Sequence, residues 1–289
     1  MVKSVSQPRV WFITGSSRGL GRALAETLLE QNEIVVLTAR NPQQVEDLAA
    51  SFPDRALAVQ LDVTKPEEVR EAVKQTIANF GRIDVLVNNA AYEVAGAIEE
   101  ISDRAIRHQF ETNFFGVIET LRAVLPHMRQ QRSGHILNVS SIACFVNGAG
   151  GGIYCSSKLA LEGLSGSLAN EVAPFGIKVT IVEPGGLRTN FFTHSYVLTD
   201  TQIEDYQALI AHLHQRALSA DSRGLGDPKK AALAMIQAVN SDRPPLRLVL
   251  GADAVNIIDA ALEFIKAELD TWKEVSVNTA FEEVVVGKT

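Results

Sequence analysis

The first twenty-one residues narrow the possible folds more than any other part of the chain. A short apolar run, Val10–Thr14, ends in Thr14-Gly15-Ser16-Ser17-Arg18-Gly19-Leu20-Gly21, and an amphipathic stretch, Gly19–Gln31, follows at once with Leu20, Leu24, Leu28 and Leu29 along one side. A buried strand that passes through a glycine-rich turn into a helix is the opening unit of a dinucleotide-binding sheet. Gly15 suits the tight turn, Gly19 allows main chain to approach a pyrophosphate, and Gly21 allows helix and strand to pack closely. The helix N-terminus presents free N–H groups and positive potential to phosphates. Ser17, Arg18 and Leu20 fall inside this turn and are candidate cofactor contacts with the three glycines.

The same rhythm continues. Strands are predicted at Ile34–Thr38, Ala56–Leu61, Val85–Val87, Ile136–Val139 and Lys178–Val182. Helices are predicted near Pro42–Ser51 and over Glu67–Phe80, Asp103–Met128 (closed near Pro126) and Tyr154–Val172. Strands apolar at every position are buried on both faces, so the expected fold is α/β: a doubly wound, mostly parallel sheet with helices on both sides. After Pro184 the rhythm changes. Residues 185–225 read as a segment laid over the strand ends, with a helix at Gln202–Ala217. Residues 226–289 form a C-terminal part with a helix opened by Asp227-Pro228, a seventh strand at Leu246–Leu250 and a helix at Ala254–Thr271. No repeat or linker divides the 289 residues, so one domain, 1–289, is expected.

Composition excludes several functions. A net charge of -7 argues against nucleic acid as a partner, which requires a basic footprint. No apolar run approaches the length of a membrane span, so no membrane partner is expected. The two cysteines, Cys144 and Cys155, have no metal-ligand spacing, and His212 and His214 fall on different helix faces, so no metal site is expected. The start, Met1–Arg9, is short and polar, and a cytoplasmic location is expected.

Tyr154 and Lys158 stand four residues apart on a predicted helix and share a face. An ammonium beside a phenol favours the phenolate, which suits acid/base work. Ser140 and Ser141 end the fifth strand, where such sheets bind ligands. Either hydroxyl could hold a substrate oxygen.

Together these motifs resemble the short-chain dehydrogenase/reductase family, from about Val10 to Thr189. Asp62-Val63 resembles its adenine-contacting pair. Asn88-Asn89-Ala90-Ala91 resembles its segment after the fourth strand, with Ala91 where glycine is usual, and supplies Asn88 and Ala90 as cofactor contacts. The interval of thirteen residues to Tyr154 selects Ser141 over Ser140. Asn113, in Thr112-Asn113-Phe114-Phe115-Gly116, resembles the asparagine that holds a proton-relay water. Pro184-Gly185, Leu187 and Thr189 match the nicotinamide side, and Tyr154 and Lys158 also contact the cofactor. The resemblance implies hydride transfer between nicotinamide and a carbonyl or secondary alcohol, with Asn113, Ser141, Tyr154 and Lys158 catalytic, and a homodimer or homotetramer. The second strand ends Thr38-Ala39-Arg40 with no acid to hold a ribose 2′-hydroxyl, so Arg18 and Arg40 point to NADP(H). Ile142, Ala143, Val146 and the apolar parts of Phe191–Leu198 suggest a pocket for an apolar ketone or aldehyde, of aromatic or steroid-like type. Two alternatives stay open: a catalytically silent cofactor-binding regulator, and an epimerase or dehydratase.

Overall fold

The structure, a computed structural model, describes residues 7–279 and 281, apart from 147, 201 and 224. Met1–Ser6, the larger part of the polar start, lie outside the described residues, as do 280 and 282–289 at the other end.

The chain runs β1 (Val10–Ile13), α1 (Gly19–Glu30), β2 (Ile34–Ala39), α2 (Gln43–Ser51), β3 (Ala56–Gln60), α3 (Pro66–Phe80), β4 (Val85–Asn88) and a short β5 (Glu93–Ala95). It continues with α4 (Asp103–Phe110), a π turn (Glu111–Phe115), α5 (Gly116–Gln131), β6 (Gly134–Val139), α6 (Ala143–Val146), α7 (Gly152–Val172) and β7 (Ile177–Pro184). The last third holds α8 (Phe191–His194), β8 (Tyr196–Leu198), α9 (Gln207–Arg223), α10 (Pro228–Asn240), β9 (Arg247–Leu250) and α11 (Ala252–Val277).

Seven strands form one parallel sheet in the order β3-β2-β1-β4-β6-β7-β9. Successive side chains of a strand point to opposite faces, and β1 shows the result. Trp11 and Ile13 pack with Leu24, Leu28, Val45, Ala232 and Met235 on the face covered by α1, α2 and α10. Val10 and Phe12 pack with Val69, Val73, Val117, Leu121, Leu161 and Leu168 under α3, α5 and α7. Chain order reverses between β1 and β4, which opens a crevice at the carboxyl ends of those strands.

Three expectations are corrected. Pro126 does not close its helix: α5 runs through it to Gln131 and ends at Arg132 in a left-handed conformation, φ 55°. Pro126 sits on the exposed face, where water can satisfy the backbone groups its ring leaves unpaired. The expected single helix is also interrupted by the π turn, and Asn113 lies inside it. Finally, β5 and β8 pair in a separate two-stranded parallel ladder, Glu93 opposite Tyr196, that three-residue runs do not announce. Among the described residues no helix is long and apolar enough to cross a membrane. Most of α11 stands away from the body, with Leu262, Phe264, Ile265, Leu269 and Trp272 exposed.

The edge strand β9 is pinned by charge. Arg247 donates to both Glu162 of α7 and Glu183 of β7, whose side chains are only 5% and 1% exposed. Burial pushes the Glu183 carboxyl above its usual range, against the pull of Arg247. In Arg247→Met the stem remains but two buried carboxylates lose their cation. Because Arg247 is itself half exposed, water replaces part of the loss, and about 1–3 kcal/mol of stability should go. A carboxyl whose folded pKa is raised takes up a proton as pH falls, and its penalty then disappears. The stability difference between the parent and Arg247→Met, from urea unfolding, is therefore expected to be larger at pH 8 than at pH 5. Equal differences at both pH values would contradict this account.

Candidate active site

The crevice is a cavity of about 720 Å³ running from the β1–α1 turn across the carboxyl ends of β4, β6 and β7. At one end Gly15 and Gly19 take positive φ, +69° and +57°, which a side chain would strain. A Cβ at Gly21 would strike the Gly15 carbonyl oxygen, so Gly21 is where helix and turn meet most closely. Residues 88–91 hold the turn from the other side. Asn89 Nδ2 donates to the carbonyls of Thr14 and Gly15 at 3.0 and 2.9 Å. The amides of Asn89 and Ala90 donate to Thr14 Oγ1 at 2.9 and 3.1 Å. No side chain caps the N-terminus of α1, so its first amides remain open to an anion.

Of the residues singled out above, Gly15, Ser17, Arg18, Gly19, Leu20, Arg40, Asp62, Val63, Ala90, Ser141, Tyr154, Lys158, Pro184, Gly185, Leu187 and Thr189 line this one cavity. Three stand behind its wall. Gly21 is a packing contact. Asn88 is buried and donates to Asn138 Oδ1 at 2.8 Å. Asn113 is buried within the π turn: its Nδ2 donates to the Tyr92 carbonyl (2.9 Å) and to Ser157 Oγ (3.0 Å), and its Oδ1 accepts the Tyr92 amide (3.1 Å). Asp62 is only partly buried. Burial works against its charge, but the Thr64 hydroxyl (2.7 Å) and amide (3.0 Å) outweigh that and hold its carboxyl below the usual range.

Helix α7 carries Tyr154 and Lys158 into the end of the cavity away from the β1–α1 turn. Lys158 Nζ donates to the Val139 carbonyl at 2.7 Å and lies 5.8 Å from the Tyr154 ring centroid. Burial pushes the Lys158 ammonium down to about 8. Burial also raises the Tyr154 phenol well above its ordinary value, and the Glu93 charge adds to this, while the Ser141 hydroxyl works in the opposite direction. The spacing of Tyr154 and Lys158 predicts a lowered phenol; in the structure desolvation dominates instead, and Tyr154 rests as the neutral acid. The two serines separate cleanly. Ser140 Oγ donates to Glu162 at 2.7 Å. Ser141 Oγ accepts the Ala143 amide at 3.1 Å and faces Tyr154. Burial raises both thiols, Cys144 to about 12, so neither is a ready nucleophile.

Beyond Tyr154 the wall is aromatic: Phe191 lies 6.3 Å from Tyr154 and 5.6 Å from Phe192, which lies 5.3 Å from Tyr196. Sequence reasoning missed three lining residues here, Tyr92, Glu93 and Arg216. Only Glu93 left a signal, as the lone charge ahead of the apolar stretch Val94-Ala95-Gly96-Ala97-Ile98.

The cavity fits a dinucleotide. Its volume is that of a ligand site, its open amides meet phosphates at α1, and two arginines stand at the far end from the Ser141–Tyr154–Lys158 group.

The sequence and the fold agree with known proteins. A family model described as short chain dehydrogenase matches residues 9–197. The chain is 41% identical over 273 residues to "Oxidoreductase BOA17" of Botryotinia fuckeliana, covering 94% of this chain and 99% of that one. It is 40% identical over 247 residues to a "3-ketodihydrosphingosine reductase" of Bacteroides thetaiotaomicron, covering 85% and 88%. A solved short-chain dehydrogenase from Streptomyces avermitilis superposes with a TM-score of 0.88 at 42% identity over 95% and 99% of the two chains. This chain belongs to the short-chain dehydrogenase/reductase family, whose oxidoreductases bind a nicotinamide cofactor.

Proposed function

We propose that the protein is an NADP(H)-dependent reductase of apolar ketones or aldehydes. The observation that carries this reading is the convergence of Ser141, Tyr154 and Lys158 at one end of a cavity whose other end holds Arg18 and Arg40. The bound nicotinamide supplies or accepts the hydride. Ser141 donates a hydrogen bond to the carbonyl oxygen of the substrate and stabilises charge that develops there. Tyr154, held neutral by burial, gives that oxygen its proton; oxidation of an alcohol is the reverse. Lys158 stabilises the phenolate left behind, and its own charge is limited by burial. Asn113 fixes the Tyr92 backbone and Ser157 and orders the path by which water returns the proton. The segment 185–225 contributes Phe191, Phe192, Val197 and Leu213 as the apolar cover over the substrate. A silent binder would have no use for a serine, a tyrosine and a lysine brought to one point. An epimerase or dehydratase would turn over substrate without net consumption of NADPH. The free, buried thiols Cys144 and Cys155 suit a cytoplasmic location.

Tyr154→Phe keeps the ring and removes the proton. With a ketone substrate and NADPH, kcat should fall at least 10²–10⁴-fold, the usual worth of general acid catalysis, while fluorescence titration still shows NADPH binding. In the parent, kcat should also decline as pH rises through about 8, where Lys158 loses its charge. Turnover near the parent's in Tyr154→Phe would overturn the assignment.

NADP(H) rather than NAD(H) is supported by the end of β2. Ala39 occupies the position where an acid would hold a ribose 2′-hydroxyl, and Arg40 follows it on the cavity wall with Arg18. Arg40 and Arg18 can fork onto a 2′-phosphate. A charge-assisted hydrogen bond is worth about 1.5–3 kcal/mol, so each arginine should contribute about ten- to a hundredfold in NADPH affinity. The double variant Ala39→Asp, Arg40→Ala adds an acceptor for the 2′-hydroxyl and repels phosphate. Its ratio of kcat/KM for NADPH over NADH should fall by at least a hundredfold, and a parent that already prefers NADH would refute the cofactor reading.

A homo-oligomer is supported by α11. Val255, Ile258, Leu262, Ile265, Leu269 and Trp272 repeat at alternating intervals of three and four, the seam of a coiled coil. All but Ile258 are 46–63% exposed. In a parallel pair Glu268 of one helix would face Lys273 of a second copy, and the helix is acidic enough to disfavour an anionic membrane. The parent is expected to run as a dimer or larger assembly in light scattering and Leu262→Glu, Leu269→Glu as a smaller species; a monomeric parent would remove this reading.

A further inference from the structure

One buried acid in the cavity has no part in the chemistry above. Glu93 opens β5, and its backbone is fixed on three sides. Its amide donates to the Ser195 carbonyl at 2.8 Å, the next amide donates to Gln109 Oε1 at 2.7 Å, and the Gly96 amide donates to the Gly150 carbonyl at 3.0 Å. The side chain is 7% exposed and reaches the cavity wall close to the Gly151 backbone. No described residue gives its carboxylate a hydrogen bond or an ion pair. The groups that face it are Tyr154 and Cys155 from α7, Tyr196 from β8 and Arg216 from α9.

A carboxylate so buried is costly unless a donor reaches it. Desolvation lifts it to about 7, and only the Arg216 charge, beyond ion-pair range, works to keep it ionised. Its oxygens open onto the cavity, so a ligand that carries a donor can displace water from them and pair with the charge. A group bound there shares the cavity with Tyr154, whose phenol the Glu93 charge raises. The surroundings also select its type. Tyr196 stands opposite Glu93 in the β5–β8 ladder, Phe191 and Phe192 line the same cavity, and a carboxylate in an aromatic-walled cavity suits a compact cation, bound by charge and by the rings together.

We propose that Glu93 binds the ammonium group of an amino ketone and so sets the adjacent carbonyl against Ser141 and Tyr154. The proposal rests on the carbonyl-reductase reading for its turnover but not for its binding. Glu93 is a recognition residue, and it has a second effect. Ionised and alone, it holds the Tyr154 phenol up and penalises the phenolate that forms when the proton is given away. A substrate ammonium neutralises that field, so the right substrate eases the loss of the proton from Tyr154 as well as binding more tightly.

The test uses two ketones of nearly the same shape, 2-(dimethylamino)acetophenone and isovalerophenone, in which an ammonium nitrogen is exchanged for carbon. With NADPH and the full chain at pH 7.5, the ratio of their kcat/KM values should favour the amino ketone by about ten- to a hundredfold, the worth of one charge-assisted hydrogen bond. In Glu93→Gln, which keeps the shape of the side chain, that ratio should collapse toward one. The amino ketone's KM should also improve between pH 6 and pH 7.5 as Glu93 ionises, with no such trend for isovalerophenone. A binding arm separates the two readings: calorimetry of N,N-dimethylphenethylamine, which has no carbonyl, into the protein with NADP⁺. Binding to the parent that is lost in Glu93→Gln supports the ammonium site even if neither ketone is reduced, in which case the reductase reading alone fails. A parent that does not distinguish the ketones and does not bind the amine, or a Glu93→Gln variant that keeps the preference, overturns the proposal.

Discussion

A parallel sheet covered on both faces has no free side, and most of what this protein can do follows from that restriction. The central strands of the main sheet are largely apolar on both faces, as β1 is with Trp11 and Ile13 toward one helical layer and Val10 and Phe12 toward the other. Most polar side chains are left to the strand ends, and those inside the sheet find partners there, as Asn88 does in Asn138 and His135 in Thr180. Because all seven strands run the same way, their carboxyl ends gather at a single edge, and the residues placed just past them meet there although they are far apart in sequence. Ser17, Asp62, Ala90, Ser141 and Pro184 follow five different strands and line one cavity. The core thus decides where the chemistry can be, and the loops decide what it is.

This division also explains what could be read from the sequence. The strands of the main sheet, the phosphate turn and the group Ser141, Tyr154 and Lys158 are local patterns: a run of apolar residues, a glycine spacing, one turn of a helix. Local patterns survive in one dimension. Asn88 belongs to the same motif as Asn89 and Ala90, which line the cavity, yet a strand alternates its faces, and the Asn88 amide points back into the sheet to Asn138. Glu93 and Arg216 could not be paired with the site because their positions depend on a three-residue ladder between β5 and β8 and on the placement of α9, both of which are tertiary. Pro126 misled for the opposite reason, since a local rule was overridden by a helix with water on that side to absorb the defect.

The charges in the cavity follow one physical cause with two signs. Burial disfavours the ionised form of any group, so it raises an acid and lowers a base. Glu93 rises from 4.5 to about 7 and Lys158 falls from 10.5 to about 8. A gap of six pH units between a carboxyl and an ammonium closes to about one on either side of Tyr154. The Glu93 carboxyl and the Lys158 ammonium thus move toward each other in proton affinity, while the Tyr154 phenol moves away from both.

The π turn at Glu111–Phe115 makes the cavity wall depend on the exact length of one helix. A π turn holds one residue more than the α-helix around it, and each α-helical residue advances the side-chain direction by about 100°. Deleting any one residue between Glu111 and Phe115 would restore an unbroken helix with nearly the same composition and apolar stripe, and would swing Asn113 away from Tyr92 and Ser157. What is constrained in this stretch is therefore a length. A chain one residue shorter here would keep the packing face of the helix and lose the support that Asn113 gives to the cavity wall.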